Sequence, residues 1–193
     1  VNQDGKRFIN ELQTRDVVSA AELKQPGKVG YLVFDTATRK SLKAIETYIK
    51  KGLVTEGATL DELADKLKIN AANLKATMEQ YAKFQADKKD AEFGRADMPR
   101  PLTEGPWFAV QVTPAVHHTM GGLRINTEAQ VLDKKGNVIP GLFAAGEVTG
   151  GVHGANRLGG NAMADIVTFG RIAGRNAAEQ PTGVIVPRGQ KPE

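Results

Sequence analysis

Apolar and polar positions alternate in two different rhythms along this chain, and the change of rhythm divides it. From residue 14 to residue 86 the spacing is mostly that of helices. The stretch TRDVVSAAELKQ predicts a helix opened by Thr14 or Asp16. GYLVFD is a short apolar run and predicts a buried strand. TATRKSLKAIETYIKKG predicts one helix capped by Thr36, with Leu42, Ile45 and Ile49 on one face and Gly52 at its end. In TLDELADKLKI, Thr59 stands three residues before Glu62, the spacing of a capping box. NAANLKATMEQYAKFQ places Leu74, Met78 and Tyr81 on one stripe behind an Asn70 cap. Ahead of all these, DGKRFIN predicts a turn at Asp4 and Gly5 feeding a short strand.

ADKKDAEFGRADMPRPLTEGP is charged and rich in proline, and predicts a surface loop. The rhythm then changes. WFAVQVTPAVHHTMGG predicts a strand, a proline break and a polar loop. LRINTEAQVLDKKGNVIPG predicts a β-hairpin with Lys135, Gly136 and Asn137 at its tip. LFAAGEV predicts a buried strand ending in Gly146 and Glu147. NAMADIVTFGRIAGRNAAEQ predicts a helix from Asn161, whose Gly170 and Gly174 offer a smooth groove for close packing against a sheet. The tail from Pro181 reads as a loose end. A boundary is expected near residue 114, giving a helical, cap-like region over 1–113 and a strand-and-glycine region over 114–193.

Composition narrows the function. The 193 residues are 40% hydrophobic and 25% charged, ordinary for a globular chain, with a formal net charge of +4. No basic run suggests a nucleic-acid arm, and no apolar stretch is long enough to span a membrane. With no cysteine, disulfides, thiol redox chemistry and cysteine-ligated metals are excluded within this chain. The opening VNQDGKRF reads as the middle of a domain, so a longer protein is expected.

The candidate chemistry gathers in the second region. All three histidines, His117, His118 and His153, lie there. Each is read either as a loop side chain held by hydrogen bonds or as a ligand contact, and their spacing matches no standard zinc motif. Glu147, at the carboxyl end of a predicted strand, is either a solvated loop residue or a grip for ribose hydroxyls. Arg157 stands among glycines in HGANRLGGNA, just before a helix start with free backbone N–H groups. A planar guanidinium, Gly159 and Gly160, and a helix N-terminus together suit an anion. The alternative is a glycine-rich turn carrying a surface arginine, and the density of glycine favours the ligand.

TPAVHHTMGG, GLFAAGEVTGGVHGANRLGGNA and DIVTFGRIAG closely resemble the soluble fumarate reductase flavoproteins. That group includes the flavocytochrome c fumarate reductases and the urocanate reductases, relatives of the succinate dehydrogenase flavoprotein subunit. The resemblance extends back through VNQDGKRFINELQTRD and covers nearly the whole chain. It implies an α/β (α+β) piece made of part of a helical capping, or clamp, domain and the carboxyl-terminal part of a Rossmann-like FAD domain. It implies that the half with the GxGxxG motif is missing here.

By the same resemblance, Arg15 of TRD is the acid that protonates the substrate. His117 and Arg157 bind a substrate carboxylate, with Gly160 beside them. His118 lies at the flavin, Glu147 binds the FAD ribose, and Ala162 and Met163 meet the flavin's pyrimidine end. Fumarate is the leading substrate, urocanate or another enoate the alternative. An inactive fragment, or an enzyme running in the oxidative direction, also stays open. An arginine holds its proton tightly, so Arg15 needs a relay, which in the family lies upstream of this chain's first residue. The implied cofactor is FAD, with haem or FMN only in domains outside this chain. The implied partners are a small dicarboxylate or unsaturated acid, the missing FAD-binding half and an electron-donor domain or protein. The implied location is the periplasm.

Overall fold

The structure is a computed structural model that describes residues 1–180. Helices and strands are mixed throughout, as the α/β expectation requires. The chain divides into two compact units, Val1–Ala115 and Val116–Glu193. The tail expected to be loose from Pro181 lies outside the described residues.

In the first unit the turn at Asp4 and Gly5 forms, but the strand predicted after it does not. The Asn2 side chain accepts the N–H groups of Asp4 and Lys6, so this backbone is satisfied locally rather than by a neighbouring strand. Helix α1 (Arg15–Glu22) begins after Thr14, whose side chain makes no cap. Thr14 is instead hydrogen-bonded to the Asp16 carboxylate.

Strand β1 (Gly30–Asp35) forms as predicted, but on a sheet edge, so Leu32 faces out at 57% exposure. The single helix expected after it is two, α2 (Thr36–Ser41) and α3 (Ala44–Lys50). The cap is Asp35, not Thr36: the Asp35 carboxylate accepts the Thr38 N–H at 2.8 Å. The break falls at Leu42, whose backbone is extended and whose side chain is exposed, while Ile45 alone of the predicted face is fully buried. The Ser41 hydroxyl donates to the Thr38 carbonyl and helps to close α2 at that point.

Strand β2 (Thr55–Gly57) leads into α4 (Leu60–Leu67) and α5 (Ala71–Ala86). Both predicted caps form. Thr59 accepts the Glu62 N–H at 3.2 Å, and Asn70 accepts the Asn73 N–H at 2.9 Å. The Glu62 carboxylate reaches back to the Ala58 N–H, one residue before the usual capping-box donor. Strand β3 (Trp107–Val112) is central, antiparallel to both β1 and β2. Leu63, Leu74, Met78, Trp107 and Tyr31 form one core, and Phe34, Ile45 and Phe108 a second. Arg7 is buried beneath the proline-rich loop, on Glu11 and Asp90 at 2.8 Å each and between the rings of Tyr81 and Phe93.

In the second unit, the predicted hairpin is β5 (Gln130–Leu132) with β6 (Val138–Phe143). Its tip is set by Asp133, which accepts the N–H groups of Lys135 and Asn137, with Gly136 at φ 89°. The first residues of the proposed hairpin belong elsewhere: β4 (Leu123–Arg124) pairs in parallel with β7 (Thr149–Gly150). LFAAGEV is not a buried strand. β6 starts earlier, is mostly exposed because β5 alone pairs with it, and stops before the alanines. Gly146–Val148 is a 3-10 turn. Helix α6 runs Asn161–Glu179, as predicted. Its Gly170 and Gly174 do not make the expected close contact: a Cβ added at either would meet nothing within 4 Å among the described residues.

Candidate active site

Backbone approach builds this site before any side chain does. A Cβ on Gly150 would fall 2.6 Å from the Gly122 nitrogen, and one on Gly122 would collide with the Val148 carbonyl. Only glycine at both positions lets β4 and β7 lie this close. That contact brings the TMGG end of the histidine segment against the start of the TGGVHGANRLGG loop. Beside it opens a cleft of about 860 Å³ lined by Gly121, Gly122, Arg124, Gly150, Gly151 and Phe169.

Glu147 fastens the same two segments. Its Oε1 accepts the Thr119 N–H at 3.2 Å, and its carbonyl accepts the Thr119 hydroxyl at 3.0 Å. Glu147 is thus an exposed loop residue with a structural bond rather than a wholly solvated one. Thr149, buried, donates its hydroxyl to the Gly146 carbonyl and pins the turn behind it.

The histidines take three different places. His117 is exposed. His118 is half-buried, and its Nδ1 accepts the Met120 N–H at 3.1 Å. His153 is half-buried, with Nε2 3.0 Å from Asp165 Oδ2, and its ring stands edge-to-face with that of His118 at 5.3 Å. His153 is thus a loop side chain held by a hydrogen bond. Asp165 was not among the predicted site residues. Its signal was present as a lone carboxylate inside the apolar start of α6, AMADIVTF, because an acid buried in an apolar helix face needs a donor.

Arg157 is 5% exposed, which removes the alternative of a surface arginine. One guanidinium nitrogen donates to the Leu158 carbonyl at 3.1 Å, so the side chain is folded back along its own loop. Gly160 follows at φ 84° as the residue before α6, whose start has no side-chain cap. Ala162 is half-buried and Met163 is 64% exposed in that first turn. Arg15 belongs to the first unit, exposed at the first position of α1.

The donor set is that of an anion site: an uncapped helix N-terminus, a buried guanidinium and a loop whose backbone no Cβ covers at Gly151, Gly154 or Gly160. Residues 1–163 match the FAD binding domain family. The chain belongs to that family.

FAD is the family's cofactor, and the uncapped helix start and open glycine loop fit its anionic groups. Two relatives calibrate the match. A fumarate reductase (cytochrome) of Shewanella frigidimarina is 52% identical over 179 residues, 93% of this chain and 31% of that protein. A urocanate reductase of Eggerthella lenta is 39% identical over 186 residues, 92% of this chain and 30% of that protein. Among solved structures, the open conformation of a flavocytochrome c3 fumarate reductase matches with a TM-score of 0.74 and 53% identity, over 92% of this chain and 32% of that one. The chain thus spans about a third of the length of these relatives. No described helix is long and apolar enough to cross a membrane.

Proposed function

We propose that this chain forms part of an FAD-dependent oxidoreductase that reduces the C=C bond of an unsaturated carboxylate, with fumarate as the substrate. The observation that carries the reading is the 52% identity to the Shewanella fumarate reductase, which extends over 93% of the chain. When bound and reduced by an electron donor, FAD would supply the hydride. Every other role falls to residues.

Arg157 and His117 hold the substrate carboxylate, with Gly160 giving the close approach. A guanidinium and an imidazole donor on one carboxylate draw electron density from the conjugated double bond, so its far carbon accepts hydride more readily. The Arg157–Leu158 bond is the resting arrangement of that guanidinium. Arg15 delivers the proton to the second carbon. His118 and Glu147 contact the flavin and its ribose, and Ala162 and Met163 at the start of α6 meet its electron-rich end, where the helix dipole favours negative charge. The assignment to a clamp domain over 1–113 and an FAD domain over 114–193 belongs to the same reading, as do a separate electron donor and a periplasmic location.

A urocanate substrate is the second reading, supported by the 39% identity to the Eggerthella enzyme. Both substrates need the carboxylate clamp. In the flavoprotein that carries this chain, Arg157→Ala is expected to raise KM for the carboxylate substrate by at least about 10-fold, the loss of one charge-assisted hydrogen bond. An unchanged KM contradicts the clamp.

A further inference from the structure

Asp165, His153 and His118 form a compact cluster across three separate segments: the first turns of α6, the glycine loop and the histidine segment. Two of its hydrogen bonds have a direction fixed by chemistry. In one, a backbone N–H can only donate, so the bond from Met120 makes His118 Nδ1 an acceptor. An acceptor nitrogen carries no proton, and the ring proton of His118 therefore sits on Nε2. In the other, a carboxylate can only accept, so His153 Nε2 donates to Asp165. The Asp165 side chain is 2% exposed, and its other oxygen, Oδ1, is buried and receives no hydrogen bond among the described residues. A buried carboxylate with one donor holds that donor firmly.

We propose that Asp165 and His153 are positioning residues that lock His118 as a single tautomer, with Nδ1 bound to Met120 and Nε2–H presented as an uncharged donor. Asp165 fixes the plane of the His153 ring. That ring, 84° to His118 and edge-to-face with it, limits rotation of His118 about its side-chain bonds. The lock supplies the site with an N–H donor whose direction is set before any ligand arrives. The three side chains also have the donor types of a metal site. The bonds they already make, His153 to Asp165 and Met120 to His118, favour a hydrogen-bonded relay of orientation. That the N–H serves the flavin rests on the function proposed above, whereas the lock itself does not.

With three histidines in the chain, nitrogen-15 NMR of the imidazole rings tests this directly. The expected spectrum shows His118 with an unprotonated Nδ1, a protonated Nε2 and a slowly exchanging Met120 amide. Asp165→Asn keeps an acceptor oxygen and is expected to preserve that spectrum. Asp165→Leu is expected to average the His118 tautomers and to speed Met120 amide exchange about 10-fold. His153→Phe removes the hydrogen bond while keeping a flat ring, and covers the case in which Asp165→Leu does not fold. A wild-type His118 protonated on Nδ1, or averaging as a free histidine does, overturns the proposal. So does an unchanged His118 in folded Asp165→Leu and His153→Phe. Adding FAD separates the two claims. A shift of the His118 Nε2 proton supports its place at the flavin. A locked His118 that FAD leaves untouched upholds the lock and counts against the flavin reading.

Discussion

The first unit buries many rings and aliphatic side chains around a few polar ones; the second buries few apolar side chains beside its polar ones. In Val1–Ala115 the centre is Phe108, Leu63 and Leu74, all 1% exposed or less. In the second unit the buried apolar side chains among the described residues are Ala129 and Val131, while Thr149, Arg157 and Asp165 are buried polar groups. Its large apolar side chains lie outside instead, with Val116 at 91%, Leu158 at 70% and Met163 at 64% exposure. The difference teaches where each unit's specificity resides. The first unit is held by apolar area removed from water, which is non-directional. The second is held by hydrogen bonds with fixed donors and acceptors and by backbone contacts that only glycine permits, which fix geometry at small net gain.

The contrast can be broken most forcefully in the first unit. Phe108→Ala removes the stack on Phe34 (centroids 5.4 Å apart) and the guanidinium contact from Arg39. A loss of about 3–5 kcal/mol is expected in a denaturant titration. A cost below 1 kcal/mol contradicts a closed apolar core.

Asp90 comes next. Burial pushes its carboxyl upward, but the Arg7 guanidinium and the N–H groups of Phe93, Arg95 and Glu92 more than offset that and hold it well below the usual carboxylate range. The folded state therefore prefers the charged form. Its stabilisation is complete above the unfolded value of about 3.9 and is lost as pH falls from there through the lower folded value. At neutral pH, Asp90→Asn is expected to cost about 3 kcal/mol, as breaking a buried pair does. The gap between variant and wild type should close in acid. A gap independent of pH across that range counts against the Arg7–Asp90 assignment.

The smallest effect is expected in the second unit and has the opposite sign. Gly170→Ala and Gly174→Ala place a methyl group where nothing lies within 4 Å among the described residues. Each is expected to stabilise α6 by up to about 1 kcal/mol, through helix propensity alone. A loss of stability at either position would mean that these glycines are covered in solution.

The sequence made helices α4 and α5 legible because their caps are local: Thr59 and Asn70 bond N–H groups three residues on. It misled over 36–52, where Asp35, counted as the end of a strand, caps α2, and where a helical apolar pattern runs across the break at Leu42. The predicted hairpin formed around its tip, but its first residues were misplaced for a related reason. The strand partner of β4 is β7, roughly 25 residues away, and glycine contact chooses it without leaving an apolar signature. In the candidate site, the glycine frame singled out Arg157 from residue types alone, and the structure buries it. Asp165 left only the signal of a lone carboxylate in an apolar helix start, and its partner, a histidine 12 residues earlier, is brought to it by the folded chain.

The measurement that tests the central claim most directly is an assay of the flavoprotein carrying this chain, with a reduced viologen dye as electron donor and fumarate and urocanate supplied side by side. The expected result is oxidation of the dye with fumarate, faster than with urocanate, and a rise in KM on Arg157→Ala. A flavin-loaded protein that reduces neither acid would contradict it.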